Sequence, residues 1–141
     1  MQTIQIDIPC CRILSHSFLF HFFFLYAEAP TDILIQRVGD EGQEVIASAG
    51  EEIELECIVS GGNPPAKLRW FAGEQELQSG HTQEDTRPTP NSRTWMSVSR
   101  LTLPVSKDDN GATIRCLAEH PTLESAMSTK TQLTIHCKLQ L

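Results

Sequence analysis

Apolar and polar residues alternate in short runs along residues 30–137, and glycine, proline and other turn residues separate the runs. In the clearest run, EEIELECIV at 51–59, apolar residues and one cysteine alternate with Glu52, Glu54 and Glu56. A period of two is typical of a β-strand with one buried face. No helical period longer than one turn occurs in this region. The pattern therefore predicts an all-β domain.

Seven or eight strands are expected from these runs and the turns between them. The first, at 33–38, is expected to be an edge strand, and 45–48 is expected to continue it after the polar stretch GDEGQ. The segment 80–92 is expected to be irregular or a weak edge, because it contains two prolines, which cannot donate to a neighbouring strand. The remaining strands are expected at 51–59, 67–71, 76–77, 94–105, 112–120 and 128–136.

The inward side of these strands supplies the predicted core. Besides two cysteines, its members are Leu55, Leu68, Trp70, Leu101, Leu103, Ile114 and Leu133. Two inward cysteines, with an inward tryptophan 13 residues after the first, are the arrangement of an immunoglobulin-type sandwich. In such a sandwich a disulfide joins the facing sheets, which implies that Cys57 pairs with Cys116. The bond persists only in an oxidising compartment and favours a secreted or cell-surface protein.

The other cysteines and the histidines point to no chemical site. Cys137 has no predicted partner within the domain. It either forms an intermolecular disulfide or is a free thiol produced by truncation. The chain has no CxxC pair, no ligand spacing suited to zinc, no nucleophile elbow and no Gly-rich phosphate loop. We therefore expect no metal, no cofactor, no small-molecule substrate and no enzymatic activity.

Chain length and net charge limit the number of domains and the kinds of partner. A chain of 141 residues suits a single domain, predicted at 28–137 and followed by a short tail at 138–141. Its 18 acidic and 11 basic residues give a net charge of −7. Because such a charge repels phosphate backbones, binding to nucleic acid is not expected.

The first 27 residues differ in composition from the rest. Five of the six phenylalanines lie at 18–24, within a mostly apolar run at 13–26 that is too short to span a bilayer comfortably. The small-residue pattern AEA at 27–29 follows, which predicts a secretory signal peptide cleaved after the first of these alanines. Because only Arg12 supplies positive charge before the run, the alternative is that residues 1–27 are a mis-predicted start.

Two stretches resemble a known family: EEIELECIVSGGNPPAKLRWFAGEQEL and SRLTLPVSKDDNGATIRCLAEHP. Together they closely resemble the second, C2-set (CD80-like) immunoglobulin domain of the nectin and nectin-like cell-adhesion molecules, and several arthropod adhesion receptors look similar. Four separated motifs carry the match: EEIE before the first cysteine, RWF around the tryptophan, the DDNG corner and EHP after the second cysteine. The resemblance covers residues 30–136.

The corner before the second cysteine departs from the usual immunoglobulin pattern. Most such domains carry Asp-x-Gly-x-Tyr-x-Cys, whose tyrosine makes a corner hydrogen bond. Here Ile114 holds the tyrosine position, and Gly111 lies five residues before Cys116 instead of four. The tyrosine corner is therefore absent from this chain.

The resemblance implies an extracellular recognition module of a calcium-independent adhesion receptor. Its partners would be protein ectodomains, either further copies or related immunoglobulin-superfamily members. In those receptors a V-type domain precedes this one and makes most of the contacts, so the alternative is an inert spacer that supports such a neighbour. We expect a fragment of a longer receptor, with a secreted decoy as the alternative, and membrane attachment only through parts outside this chain.

The acidic side of the 51–59 strand is the first candidate for partner contacts. Glu52, Glu54 and Glu56 project together there and repel one another unless cations oppose them. Arg100, on the outward side of the strand expected beside it, is the natural counterpart. The alternative is a solvated face that keeps the protein soluble.

Trp95 and Met96 are the second candidate, because loose apolar residues on an outer surface mark contacts, although burial against the sheet edge is the alternative. Cys137 is the third, through an intermolecular disulfide. The chain has no Asn-x-Ser/Thr sequence, so N-glycans are not expected to cover the sheet faces.

Overall fold

The computed structural model describes residues 26–40, 42, 44–78 and 82–139. Within them the chain forms nine strands and a short 3-10 helix at Lys107–Asp109. The strands are β1 (Glu28–Arg37), β2 (Val45–Ser48), β3 (Glu52–Asn63), β4 (Lys67–Ala72), β5 (Gln75–Glu76), β6 (Thr82–Pro88), β7 (Trp95–Pro104), β8 (Thr113–Glu119) and β9 (Met127–His136). Most of the predicted signal peptide, residues 1–25, lies outside the described part of the chain.

The strands form two sheets that pack as a sandwich. The first sheet has the order β1-β3-β7-β6, with every neighbouring pair antiparallel. The second has the order β2-β9-β8-β4-β5, in which β2 and β9 are parallel and the other pairs antiparallel. The predicted all-β, immunoglobulin-like fold is therefore confirmed.

Strand β2 corrects one expectation. It was predicted to continue the first strand, but it crosses to the second sheet and pairs with the last four residues of β9. The turn before it contains Gly39 at φ +88°, a conformation that glycine adopts without steric cost. Crossing over lets β2 place Val45 and Ala47 in the core while its other residues face outward.

Strand β6 decides between two alternatives, since most of the segment predicted to be irregular or a weak edge forms a seven-residue edge strand. It pairs with β7 along its whole length. Pro88 is its last residue, a position at a sheet edge where a missing N–H is tolerated.

Apolar side chains between the sheets form one core. Five of the predicted core residues are almost completely buried: Leu55, Trp70, Leu101, Ile114 and Leu133. Leu68 is 7% exposed, and Leu103 is only partly buried and packs against the rim of the core. Leu103 is the next-to-last residue of β7.

A disulfide between Cys57 of β3 and Cys116 of β8 joins the first sheet to the second, as predicted. Trp70 lies opposite Cys116 in the pairing of β4 with β8, so the indole packs at the centre of the sandwich. The indole N–H donates to Ser99 Oγ at 2.9 Å. The indole of Trp70 therefore contributes apolar surface to the core, and its N–H has a hydrogen-bond acceptor.

The corner before β8 is held by side chains that bond to the backbone. Ser106 caps the short helix, and the Asp109 carboxylate accepts from the Ser106 N–H at 2.7 Å. Asn110 Oδ1 accepts from the N–H of Ile135 on β9 at 2.9 Å. These bonds hold the corner in place without a tyrosine. Ile114, at the tyrosine position, lies in the core and is 2% exposed.

Candidate interaction surfaces

The outward side of β3 carries Glu52, Glu54 and Glu56, here called the acidic face. The residues between them are buried, so the alternation of the strand directs all three carboxylates to the outer surface of the first sheet. Glu52 is exposed, while Glu54 and Glu56 are partly buried. The structure thus brings the three residues together, and their contact with a partner stays a prediction.

Arg100 and Gln36 compensate one end of the acidic face. Arg100 Nε lies 3.1 Å from Glu56 Oε1 and 4.0 Å from Glu54 Oε1. From β1, on the other side of β3, Gln36 Nε2 donates to Glu56 Oε2 at 3.0 Å. Within the described residues Glu52 has no ion pair, and Glu54 has only the 4.0 Å contact. The end formed by Glu52 and Glu54 therefore keeps its negative charge.

The other two predicted contacts are placed apart from the acidic carboxylates. Trp95 and Met96 begin β7, where they pair with Pro88 and Arg87 of β6, and both are partly buried. Their contact with a partner stays a prediction. Cys137 follows β9 as an exposed free thiol.

The outer surface of the second sheet carries a group of residues that were not among the predicted partner contacts. Phe71 of β4 lies opposite Arg115 of β8, which in turn lies opposite Lys130 of β9. Two residues along, Arg69 lies opposite Leu117. We call these five residues the cationic face.

Two guanidinium groups flank the ring of Phe71. Arg115 Cζ lies 4.8 Å and Arg69 Cζ 5.4 Å from the ring centroid, distances at which a cation is attracted by an aromatic face. Phe71 and Leu117 are both partly buried, so part of their apolar surface stays open to solvent. Aromatic residues and arginine are the types most enriched at the energetic centres of protein interfaces.

Arg69 is compensated within the molecule. It makes a bidentate pair with Glu76 at 2.7 and 2.8 Å, and a further ion pair with Glu119 at 2.7 Å. The hydrogen bonds from Arg69, followed by its charge, hold the pKa of the Glu76 carboxyl below its ordinary value of 4.5. The bond with Glu76 is also the main reason why the pKa of Arg69 is raised. Arg69 therefore links β4, β5 and β8.

Arg115 and Lys130 have no such compensation. They lie directly opposite each other on β8 and β9, and no described carboxylate forms an ion pair with either. Like charges directly opposite on neighbouring strands destabilise a sheet. In a chain of net charge −7, this face concentrates positive charge beside an open aromatic ring.

The sequence held a weak signal for the cationic face. Arg69, Phe71, Arg115 and Leu117 are among the outward residues of the segments KLRWF and ATIRCLAEH, which remain once the inward residues are assigned. Which of them meet depends on the register of β4 with β8, and alternation within one strand does not determine that register.

His120 ties two loops together and is 7% exposed. Its Nε2 lies 2.8 Å from the carbonyl oxygen of Pro64, and its Nδ1 accepts from the Thr122 N–H at 3.2 Å. Because Nδ1 is the acceptor, Nε2 carries the proton and donates to Pro64. The imidazole is thus engaged in holding the loop after β8 against the loop after β3.

The described part of the chain has neither a metal-binding cluster nor a membrane-spanning helix. No group of three or more histidine, cysteine, aspartate or glutamate residues there could hold a metal ion. No described helix is long and apolar enough to cross a membrane. The features that stand out are the two oppositely charged sheet faces.

A two-sheet sandwich whose sheets are joined by a disulfide next to a buried tryptophan defines an immunoglobulin domain. The sequence model of the CD80-like C2-set immunoglobulin domain family matches residues 39–127, and the chain belongs to this family. The resemblance drawn from the four sequence motifs is therefore confirmed. The matched residues lie within 28–137, whose boundaries stay a prediction.

Its relatives include cell adhesion molecules. The chain is 32% identical to human cell adhesion molecule 1 over 99 residues, which are 70% of this chain and 21% of that protein. It is 39% identical to human cell adhesion molecule 3 over 80 residues, which are 55% of this chain and 19% of that protein. The chain therefore spans about a fifth of the length of these relatives.

Solved structures show the same fold. The crystal structure of Rst D1-D2 aligns with a TM-score of 0.71 at 22% identity, covering 78% of this chain and 51% of that chain. The full ectodomain of mouse nectin-like molecule 4 aligns with a TM-score of 0.64 at 24% identity, covering 79% of this chain and 35% of that chain.

Proposed function

We propose that this chain is an extracellular recognition module of an adhesion-type immunoglobulin receptor, and that it binds other protein ectodomains through a sheet face without catalysis. The observation that carries the proposal is the partly exposed ring of Phe71, held between Arg69 and Arg115 on the outer surface of the second sheet. A rigid aromatic group on a sheet loses little conformational entropy on binding, which suits it to anchor a contact.

Family and covalent structure support this proposal. The cell adhesion molecules to which the chain is related are named for adhesion, and a disulfide such as Cys57–Cys116 persists in the oxidising space outside the cell. Related ectodomains are therefore the first partners to test. The disulfide is equally compatible with a cell-surface receptor and with a secreted one.

An inert spacer accounts less well for the cationic face. A spacer needs only solvated surfaces, for which alternating charges suffice. Instead, Arg115 and Lys130 repel each other across neighbouring strands, and Phe71 keeps apolar surface in water. Both features cost stability in the free domain, and both are relieved when an anionic, partly apolar protein surface covers them.

The test compares binding of the secreted full chain to a panel of related immunoglobulin ectodomains, measured by surface plasmon resonance. Phe71→Ser is expected to weaken binding by at least about tenfold, the effect of losing an aromatic anchor. Ile46→Ser is the matched control, because Ile46 is a 43% exposed apolar residue on β2, outside the cationic face. Urea unfolding of both variants verifies that they fold.

Two results would contradict the proposal. One is wild-type chain that binds no related ectodomain and no further copy of itself, which would favour the spacer. The other is binding that Phe71→Ser leaves unchanged, which would place the contact away from Phe71.

A further inference from the structure

The two charged faces lie on opposite outer surfaces of the sandwich and complement each other. On the first sheet, Glu52 and Glu54 are poorly compensated, and on the second, Arg115 and Lys130 have no carboxylate partner among the described residues. We propose that the cationic face of one copy packs on the acidic face of a second copy. This inference rests on the proposed function, because it names the occupant of the same face.

The spacing of the charges on the two faces is compatible with this contact. Glu52 and Glu54 point to the same side of β3 and are about 7 Å apart, since a strand advances roughly 3.3 Å per residue. Arg115 and Lys130 lie directly opposite each other, with Cβ atoms about 5 Å apart. Because both cationic side chains are long and flexible at their ends, each can reach one carboxylate at the same time.

Apolar residues accompany the charges on both sides. On the first sheet, Val38 is 42% exposed, and its N–H donates to the carbonyl of Glu54 at 2.9 Å. On the cationic face, Phe71 and Leu117 keep apolar surface open. Apolar contact excludes water and strengthens neighbouring ion pairs. A sulfated polysaccharide would use the cations alone, whereas a protein surface also uses Phe71.

The geometry also predicts how copies assemble. The contact joins two different surfaces, so each bound copy still presents one free face, and a contact of this kind continues into an open row unless rotation closes a ring. Self-association should therefore grow with concentration without stopping at a dimer. It should weaken with salt, since the screening length falls from about 8 Å at 0.15 M to about 3 Å at 1 M.

Charge reversal in the secreted full chain tests the contact by sedimentation velocity. One variant carries Glu52→Lys and Glu54→Lys, and the other carries Arg115→Glu and Lys130→Glu. Each alone is expected to be monomeric. An equimolar mixture should associate again, because the intact cationic face of one variant meets the intact acidic face of the other, and the two reversed faces are also opposite in charge. Lys107→Glu, in the exposed turn before β8, is the control and should associate like the wild type.

Several outcomes would overturn the inference. Wild-type chain that stays monomeric up to about 1 mM would exclude a useful affinity between copies. Association that neither reversal weakens, or a mixture that does not restore it, would place the contact elsewhere. Binding of a heparin oligosaccharide that depends on Arg115 and Lys130, without association between copies, would assign the face to polysaccharide.

The experiment separates this inference from the proposed function. If the wild type is monomeric yet binds a related ectodomain through Phe71, the inference fails and the proposed function stands. If copies associate through the charged residues but independently of Phe71, and no related ectodomain binds, the inference stands and the proposed recognition through Phe71 fails. Unchanged urea midpoints of the reversed variants ensure that loss of association is not loss of folding.

Discussion

Two serines on β7 differ in what their hydroxyl groups do, although both point inward. Ser99 is 1% exposed and accepts the indole N–H of Trp70 at 2.9 Å. Ser97 is 2% exposed, and its hydroxyl has no hydrogen-bond partner within the described residues. A buried polar group contributes to stability only when it is paired, so the same residue type should have opposite effects two positions apart.

Ser99→Ala is expected to lower the free energy of unfolding by about 1–3 kcal/mol, because it leaves the buried indole N–H of Trp70 without an acceptor. Ser97→Ala is expected to be neutral or slightly stabilising, within about 0.5 kcal/mol, because it removes a hydroxyl that is already unpaired. Urea unfolding followed by tryptophan fluorescence measures both. Equal losses in the two variants would show that the hydrogen bond to Trp70 has no special role.

At the scale of elements, the turn between β7 and β8 shows how a missing residue is replaced. Gly111 at φ +83° lets the chain reverse, and its N–H donates to the Leu133 carbonyl at 2.8 Å. Asn110 bonds the backbone of β9 directly. The corner is thus fixed by local backbone contacts with β9, which explains how the glycine can lie one residue further from Cys116 than usual.

The two-residue strand β5 is attached to β4 by backbone pairing and by the ion pair between Glu76 and Arg69. Its Glu76 carboxyl has a pKa below the ordinary 4.5 because of the hydrogen bonds from Arg69. A carboxyl whose pKa is lower in the folded state stabilises the fold above its unfolded pKa, and this contribution is lost as the pH falls through the folded pKa. Glu51, bonded by the Ser48 N–H, shifts in the same direction.

Glu76→Gln is therefore expected to reduce the loss of stability between about pH 5 and pH 3, because it removes one group that must be protonated there. At pH 7 the variant should be slightly less stable than the wild type, since the pair is solvent-exposed. Glu74→Gln is the control, an exposed neighbour outside the ion pair. Urea midpoints across this pH range measure the effect, and parallel curves for Glu76→Gln and wild type would contradict it.

At the scale of the whole molecule, alternation along single strands was sufficient to predict the sandwich. It placed Trp70 and both cysteines inward, and the Cys-Trp-Cys arrangement then implied the disulfide between sheets. Alternation did not predict features that depend on which strands pair and in which register. The crossing of β2 to the other sheet and the meeting of Phe71 with Arg115 are set by neighbours far apart in the chain.

The disulfide between Cys57 and Cys116 links the two sheets across 59 residues of sequence. Cross-linking a chain over this separation removes denatured-state entropy worth about 4 kcal/mol in the chain-entropy model. The double substitution Cys57→Ala and Cys116→Ala should therefore lower the free energy of unfolding by about that amount, a large part of the roughly 5–15 kcal/mol typical of a domain.

Cys137→Ser provides the matched control, because this thiol is exposed and lies outside the strands. It should leave the urea midpoint of the wild type unchanged, while the double variant should unfold at a markedly lower urea concentration or fail to fold at 37 °C. If both variants keep the wild-type midpoint, the core around Trp70 alone holds the sheets together. In that case the oxidising compartment is no longer required by stability, and the extracellular assignment rests on the family relationship alone.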